Sequence, residues 1–331
     1  MKARVIVAKD RVVIDNIPPL EWGKGRDTSF VSSSHLTLNA LGENYTYEFL
    51  MGICGAAFRF HFNPDWCPSA ADVTAGFDVS KVLFKSLGYD CRLHAIDDQS
   101  LDEIKVLYKE IIAQINRGIP IVAINLKELP VWGVITGYLK KRPGIVCRTY
   151  FDESPQYSLA EHAPWLSFFI GDKGVPLERP ELFLNSLGIA VELASTLAFE
   201  QYYSGFNALE KWIEELKRHS LLLKTGDFQE HEVNLTMVHT LMDARRAAVE
   251  YLVMMNLSHA ISKGEKIIGN YRKELRLLED LVRKVLPSYD SGQKEWTPEI
   301  INKQVDALTR FLELEKESIG LIEEALKTFV S

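Results

Sequence analysis

Residues 132–151 read WGVITGYLKKRPGIVCRTYF and contain two strand-like runs, one at each end of the stretch. A third strand-like run, Trp165–Ile170, follows without a helical pattern in between. Upstream, apolar residues at helical spacing end once at Gly88 and once at Gly118, and a strand-like run follows each glycine. Helix–strand units that lead into successive strands predict an α+β domain and disfavour an open parallel sheet.

A helix is also predicted near the start of the chain. Asp27, Thr28 and Ser29 are all residue types that cap a helix N-terminus, and the helical pattern continues to Leu41, just before Gly42. A capping side chain accepts a hydrogen bond from a backbone N–H that has no partner within the helix. We expect Ser29 to have this capping role.

The sequence pattern changes near Pro176. Strand-like runs end there, and amphipathic helical patterns follow, the first over residues 187–203. Several amphipathic helices with short links are typical of a helical bundle. We therefore predict an α+β domain over residues 1–175 and an all-helical domain over residues 176–331.

The last helix has a clear beginning. Thr297 is a good N-cap residue, and Pro298 suits the first helical position because its ring fixes φ and its missing N–H would have no partner. Glu315 falls on the apolar stripe of this helix. We expect its carboxylate to reach solvent at the edge of that stripe.

Composition excludes several classes of function. The chain has 331 residues, is 47% hydrophobic and 25% charged, and has a net charge of −7. These values are ordinary for a soluble globular protein, and the acidic balance argues against nucleic acid or an anionic membrane as the main partner. No apolar run reaches the ~18 residues of a membrane span, and the start of the chain does not read as a signal peptide. We predict a cytoplasmic protein.

The cysteines give no sign of a metal or redox site. They are Cys54, Cys67, Cys91 and Cys147. None are paired at Cys-x-x-Cys spacing, so a scattered metal site that combines Cys54 and Cys67 with histidines is less expected than buried reduced thiols. Nucleotide-binding glycine motifs and His-Glu-x-x-His are also missing from the sequence. No cofactor and no metal are predicted.

The first half of the chain carries motifs of a known family. The run DTSF at 27–30 and the run NALGENYTYEFL at 39–50 resemble the opening of papain-like, bacteriocin-processing cysteine peptidases. They resemble more closely the N-terminal domain of BtrH-like acyltransferases of butirosin biosynthesis. The run MGICGAAFRF at 51–60 is similar to the Gly-rich apolar segment of that domain. The resemblance implies a papain-like fold for the N-terminal domain.

The same resemblance extends to later parts of the chain. The run WGVITGY at 132–138 resembles the strand that begins at the family's catalytic histidine, and RTYFD at 148–152 resembles the strand that ends at the orienting acid. The run DARRAA at 243–248 is similar to the helical extension of these relatives. The resemblance implies acyl or amide transfer by a Cys–His pair.

The family's catalytic positions hold other residues in this chain. Counted back from Gly42, the nucleophile position falls on Ser29, and the histidine position falls on Val131 or Trp132. Only the acid keeps its type, as Asp152. A serine nucleophile needs a base to take its proton, and neither valine nor tryptophan can act as one. The Cys–His mechanism of the relatives is therefore not available here.

Six residues remain as site candidates, each with a structural alternative. The candidate catalytic residues are Ser29, Cys54 and Asp152, and the candidate substrate-binding residues are Arg59, Trp66 and Trp132. As alternatives, Ser29 caps a helix, Cys54 is a small buried hydrophobe, and the tryptophans pack in a core. Arg59 either points to solvent from an alternating strand or anchors a carboxylate such as Asp72 or Asp78.

Two functions from different classes remain. The first is a degenerate papain-like protein that binds or scaffolds a small molecule or peptide in its N-terminal cleft. The second is an acyl- or amide-transfer enzyme with Ser29 or Cys54 as nucleophile and a base from the helical domain. The absent histidine favours the first. Neither nucleic acid nor a membrane is an expected partner, and the amphipathic helices also allow association with a second copy of the chain.

Overall fold

The chain forms two compact units. The computed structural model describes residues 3–96, 100–152, 154–222, 228–287 and 296–330. The first unit comprises residues 1–50 and 83–177, and the second comprises residues 51–82 and 178–331. The predicted division kept residues 51–82 with the first half, whereas the contacts group them with the helices of the second half.

The described residues give a mixed α/β protein, as the sequence predicts. The helices are α1 (Ser29–Ala40), α2 (Tyr47–Ile53), α3 (Val79–Ser86), α4 (Leu101–Asn116), α5 (Arg179–Ser195), α6 (Gly205–Leu222), α7 (Phe228–Met254), α8 (Leu257–Ala260), α9 (Gly264–Lys284) and α10 (Pro298–Val330). The strands are β1 (Val5–Val7), β2 (Arg11–Ile14), β3 (His61–Phe62), β4 (Tyr89–Ala95), β5 (Ile121–Ile124), β6 (Trp132–Leu139), β7 (Ile145–Arg148), β8 (Ser158–Leu159), β9 (Leu166–Lys173), β10 (Ala198–Phe199) and β11 (Tyr202–Ser204).

The first unit is built on an antiparallel sheet. Its strand order is β1-β2-β6-β5-β9-β4, and β7 pairs with both β6 and β8. The long strand β6 pairs with β5 where Ile135 lies opposite Ile121, and with β2 where Gly137 lies opposite Val13. A Cβ at position 137 would collide with the Val12 carbonyl oxygen. Glycine is therefore needed here for β2 to approach β6.

Two helices cover this sheet with apolar side chains. Leu36 of α1 and Ile111 of α4 are buried together with Ile121 and Val134 of the sheet. Burial of each of these aliphatic side chains contributes about 1.5–3 kcal/mol to the free energy of unfolding. Gly118 follows α4 with φ +78°, the left-handed conformation expected of a glycine that ends a helix.

The second unit is a helical bundle with a small sheet of order β10-β11-β3. Helices α6, α7, α9 and α10 share one apolar core, which includes Trp212 and Phe311. The buried indole N–H of Trp212 donates to Asn234 Oδ1 at 3.0 Å, and the amide of Asn234 donates to Gln304 Oε1 at 3.0 Å. This buried tryptophan thus has the acceptor that its N–H requires.

The prediction of a helix over residues 187–203 is wrong at both ends. Helix α5 ends at Ser195, and residues 198–204 form β10 and β11. Tyr203 and Ser204 pair with Phe62 and His61 of β3, which lies far away in sequence. Such a long-range pairing overrides local helical propensity, and for the same reason the second half is not all-helical.

Helix α10 begins as predicted, but the surroundings of Glu315 in its second half differ from the prediction. The hydroxyl of Thr297 accepts a hydrogen bond from the Ile300 N–H at 3.3 Å, and Pro298 is the first helical residue. Glu315, however, does not reach solvent: its side chain is 3% exposed and accepts a hydrogen bond from Arg245. None of the described helices is long and apolar enough to cross a membrane.

Candidate functional site

Ser29, the predicted nucleophile position, lies at the start of α1. The N-cap is Thr28, with extended φ and ψ, and Ser29 is the first helical residue. The predicted capping role of Ser29 is therefore wrong. Among the described residues, the hydrogen bond of the Ser29 side chain comes from the backbone N–H of Trp132, at 3.3 Å. The structure thus places Ser29 beside Trp132, one of the two residues, Val131 and Trp132, at which the sequence comparison put the histidine position.

An aromatic side chain fills the space at the histidine position. Trp132 is 0% exposed, and its ring lies 5.3 Å from the ring of Phe30 and 5.3 Å from the ring of Phe168, centroid to centroid. Phe84 joins the same group of rings, 6.2 Å from Phe168 and 6.3 Å from Phe30. Neither an indole nor a phenyl ring can take a proton from a hydroxyl. This placement puts Trp132 in the core of the first unit, where it presents no surface to a ligand.

The carboxylate of Asp152 accepts hydrogen bonds from residues close to it in sequence. Its Oδ1 accepts hydrogen bonds from the hydroxyl of Ser158 at 2.8 Å and from the backbone N–H and hydroxyl of Thr149 at 3.3 Å each. Its Oδ2 accepts from Arg148 Nη1 at 3.3 Å. These bonds tie Asp152 to Arg148, Thr149 and Ser158, its neighbours in sequence. The contacts give Asp152 a structural role and do not link it to Ser29.

Cys54 belongs to the second unit, in the segment after α2. It is fully buried, and burial raises the pKa of its thiol to about 12. Only the thiolate is a good nucleophile, and with this pKa the thiolate is a negligible fraction at neutral pH. The side chain lies 3.7 Å from the Met51 carbonyl oxygen, to which it donates a weak hydrogen bond. Cys54 thus has the surroundings of an inert structural cysteine.

Arg59 is buried as well, so the expectation that it points to solvent is wrong. Its guanidinium donates to the carbonyl oxygens of Ala70 at 3.2 Å and Ala75 at 2.8 Å, and its Nη2 lies 2.7 Å from His61 Nδ1. The charge of Asp72 also favours the protonated guanidinium, although burial lowers the pKa of Arg59 to about 10. Arg59 therefore holds the loop from 59 to 75 together mainly through backbone carbonyls.

The contact with Arg59 determines the charge and the tautomer of His61. Burial, then the charge of Arg59, lowers the pKa of His61 to about 2, so the imidazole is neutral. An arginine can only donate, so Nδ1 must accept and the ring proton must lie on Nε2. No hydrogen-bond partner for Nε2 is found within the described ranges. The ring packs against Tyr202 and Phe199 at 6.3 and 5.5 Å.

Trp66 is the predicted ligand-binding residue with the most unusual surroundings. It has φ +53°, is 3% exposed and lies in a group of four rings, Trp66, His219, His231 and Trp296, which we call the Trp66 cluster. Ring centroids of neighbours in the cluster are 5.5–5.9 Å apart: Trp66–His219 5.6 Å, Trp66–Trp296 5.9 Å, His219–Trp296 5.5 Å and His231–Trp296 5.5 Å. The four residues come from four separate stretches of the second unit: the loop after β3, α6, α7 and the residues just before α10.

Among the described residues, four ring nitrogens of the Trp66 cluster have no hydrogen-bond partner. Nε1 of Trp66, Nε1 of Trp296 and Nε2 of His231 are all buried and unpaired. Nε2 of His219 lies 3.0 Å from a carboxylate oxygen of Glu230, but the angle is too poor for a hydrogen bond. A buried donor without an acceptor costs about 1–3 kcal/mol. Several in one place therefore indicate that an acceptor belongs there.

Burial also sets the charge state of this site. It lowers the pKa of His231, so that imidazole is neutral at pH 7. An indole N–H only donates, so Trp66 and Trp296 both require an acceptor. The buried Trp212, whose N–H is bonded to Asn234, shows that the same chain elsewhere satisfies this need.

Other grooves and clusters are less suited to bind a ligand. A groove of about 430 Å³ beside β4, β9 and α4 is lined by Arg92 and Arg117, but these already pair with Glu110 and Asp172 at 3.0 Å each. Within the described ranges, no group of three or more His, Cys, Asp or Glu side chains could hold a metal ion.

Comparisons with known proteins found no relative that assigns a function to these residues. No protein-family model matches the sequence, and no curated protein is significantly similar to it. The site must therefore be interpreted from its own residues. Three of the four members of the Trp66 cluster were not predicted, because His219, His231 and Trp296 approach Trp66 only in the folded chain.

Proposed function

We propose that this chain is a papain-like protein that has lost the chemistry of BtrH-like acyltransferases and binds a small molecule. The fold family and the function are both part of the proposal. Support for the loss of chemistry comes from Ser29, whose hydroxyl is bonded to the Trp132 backbone, and from Trp132 itself, which fills the position of the base. An enzyme that relied on Cys54 would lack a thiolate.

The observation that carries the binding function is the set of unpaired nitrogens in the Trp66 cluster. These nitrogens lie in the second unit, whereas the sequence predicted a ligand in a cleft of residues 1–175. The unpaired donors belong to aromatic side chains that pack on one another, so the ligand should combine an aromatic ring with carboxylate or carbonyl oxygens. Hydrogen bonds from the ring nitrogens to an ionised acceptor would contribute about 1.5–3 kcal/mol each.

The ligand class can be tested with simple aromatic acids. We expect benzoate or indole-3-carboxylate to raise the melting temperature of the wild type and to change its tryptophan fluorescence. Trp66→Phe keeps an aromatic ring but removes the N–H, so it should weaken the dissociation constant by about tenfold or more. Isothermal titration calorimetry of the wild type and the variant measures this difference.

The matched control is Trp165→Phe, which changes a tryptophan of the first unit that is 43% exposed. This variant should bind the acids like the wild type. Benzylamine, which has the ring but a cation in place of the acceptor, should not bind. The proposal fails if the acids leave the melting temperature unchanged up to their solubility limit, or if Trp66→Phe binds them as tightly as the wild type.

A further inference from the structure

A second polar cluster lies in the core of the helical bundle. Arg245 of α7 is 0% exposed, and its Nε donates to Glu274 Oε2 of α9 at 3.1 Å. Its Nη2 donates to Glu315 Oε1 of α10 at 2.9 Å, and its Nη1 donates to the Ala57 carbonyl oxygen at 2.8 Å. Tyr271 of α9 stacks nearby, with the guanidinium 5.7 Å from its ring centroid. We call Arg245, Tyr271, Glu274 and Glu315 the Arg245 cluster.

The two carboxyl groups share one edge of the guanidinium. Nε and Nη2 lie side by side on the same edge of the arginine fork, which in most pairs is occupied by a single carboxylate. Here Glu274 takes one position and Glu315 takes the other. Their carboxyl groups are therefore neighbours, and one positive charge faces two acids.

The remaining oxygen atom of each acid is buried and unpaired in the described part of the chain. Oε1 of Glu274 and Oε2 of Glu315 find no hydrogen bond there, and neither does the hydroxyl of Tyr271. If both acids were ionised, the cluster would carry an excess negative charge out of contact with water. A buried charge without a counter-charge costs several kcal/mol, so the charge should be neutralised.

We propose that Glu274 and Glu315 bind one proton between them, and that this proton makes the Arg245 cluster neutral. A hydrogen on Oε1 of Glu274 supplies the donor that Oε2 of Glu315 lacks, so both unpaired oxygens are accounted for at once. Arg245 stays paired with the Glu315 carboxylate. The proton thereby helps to join α7, α9, α10 and the segment at Ala57.

The groups that face the pair all support this assignment. The titratable groups of the cluster are Arg245 on α7, Tyr271 on α9 and Glu315 on α10, and the loop at residue 57 contributes an uncharged carbonyl. Burial, then the charge of Glu315, raises the pKa of Glu274 well above its usual value, despite the attraction of Arg245. Burial likewise raises the pKa of Tyr271, which remains a neutral phenol.

The proton makes the stability of the protein depend on pH in a defined direction. Because the pKa of Glu274 is higher in the folded state, folding takes up a proton when the pH lies between the unfolded and the folded pKa. The resulting stability is complete below that unfolded pKa and is lost as the pH rises toward the folded pKa. For one proton, each pH unit in this interval increases the unfolding equilibrium constant about tenfold.

Glutamine variants test the proposal. Glu274→Gln replaces the protonated acid with an amide that can donate the same hydrogen bond without a titrating proton. The contribution of the cluster to the pH dependence should then disappear. Glu315→Gln should do the same, because one acid then remains for one arginine. Urea unfolding between pH 5 and pH 9 measures this as the change of the unfolding constant per pH unit, relative to wild type.

The control is Glu313→Gln, the same chemical change at an exposed position of α10. It should keep the wild-type pH profile. The double variant Glu274→Gln/Glu315→Gln leaves the arginine without a carboxylate, so it should lose far more stability than the two single variants together. Infrared spectra provide a direct readout, since the wild type should show the carbonyl stretch of a protonated carboxyl group that Glu274→Gln lacks.

Two results would overturn the proposal. The first is a wild-type pH profile in both single variants, which would mean that no shared proton is present. The second is a wild-type stability at pH 8 that depends on whether the salt is sodium, potassium or ammonium at constant ionic strength. In that case a cation, and not a proton, would balance the two acids.

Discussion

Replacement of Arg245 by methionine should lower the free energy of unfolding by about 3–5 kcal/mol at neutral pH. The side chain is 0% exposed, and its removal leaves a buried carboxylate at Glu315 without its counter-charge and the Ala57 carbonyl without its donor. The loss should be smaller at pH 5 than at pH 8, because protonation can then neutralise the second acid. Chemical denaturation followed by circular dichroism measures both values.

The adjacent residue provides the control for this prediction. Arg246→Met removes the same charge from α7, but this side chain is 36% exposed and lies 3.9 Å from its partner Asp243. Asp243 itself is buried, but it meets Arg246 at a long distance and from one side only, so we expect Arg246→Met to lose clearly less stability than Arg245→Met. The triple variant Arg245→Met, Glu274→Leu, Glu315→Leu should recover most of the lost stability, because apolar side chains of similar size can replace a buried ionic group. Equal losses in Arg245→Met and Arg246→Met would refute a buried ionic centre.

Trp132→Ala should also cost about 3–5 kcal/mol, the usual range for deletion of a buried indole. The ring packs between Phe30 and Phe168 in the core of the first unit, so its removal leaves a cavity that these rings cannot fill without moving. If Trp132 instead lined an open ligand cleft, its loss would affect stability far less.

Trp165→Ala is the matched control for this variant. It removes the same side chain from the first unit, but the residue is 43% exposed, and we expect a loss of about 1 kcal/mol or less. A melting temperature of Trp132→Ala close to that of Trp165→Ala would contradict the placement of Trp132 in the core.

Local signals in the sequence predicted local structure well. The cap at Thr297, the turn at Gly118 and the successive strands after residue 132 are all present, because each depends on residues that are close in sequence. The sequence did not predict that residues 51–82 belong with the helices of the second unit. That assignment depends on contacts such as the one between Arg245 and Ala57, 188 residues apart, which no periodicity reports.

The candidate sites show the same limit. Glu315 was noticed because it falls on an apolar stripe, and Glu274 has the same signal, since it lies on the buried face of α9 with Tyr271 and Leu278. A charged residue on such a face was interpreted as one that reaches solvent. Only the position of Arg245 on a third helix shows that the two acids have a buried partner.

The central claim, that the chain does not carry out acyl transfer at Ser29 or Cys54, can be tested by covalent labelling. The folded protein would be incubated with a fluorophosphonate and, separately, with an acyl thioester, and adducts located by mass spectrometry alongside Ser29→Ala. We expect no adduct on Ser29 or Cys54 and no thioester hydrolysis above the rate in buffer. Among the described residues no base contacts the Ser29 hydroxyl, and burial raises the pKa of the Cys54 thiol to about 12. A stoichiometric adduct on Ser29, with thioester turnover that disappears in Ser29→Ala, would contradict this claim.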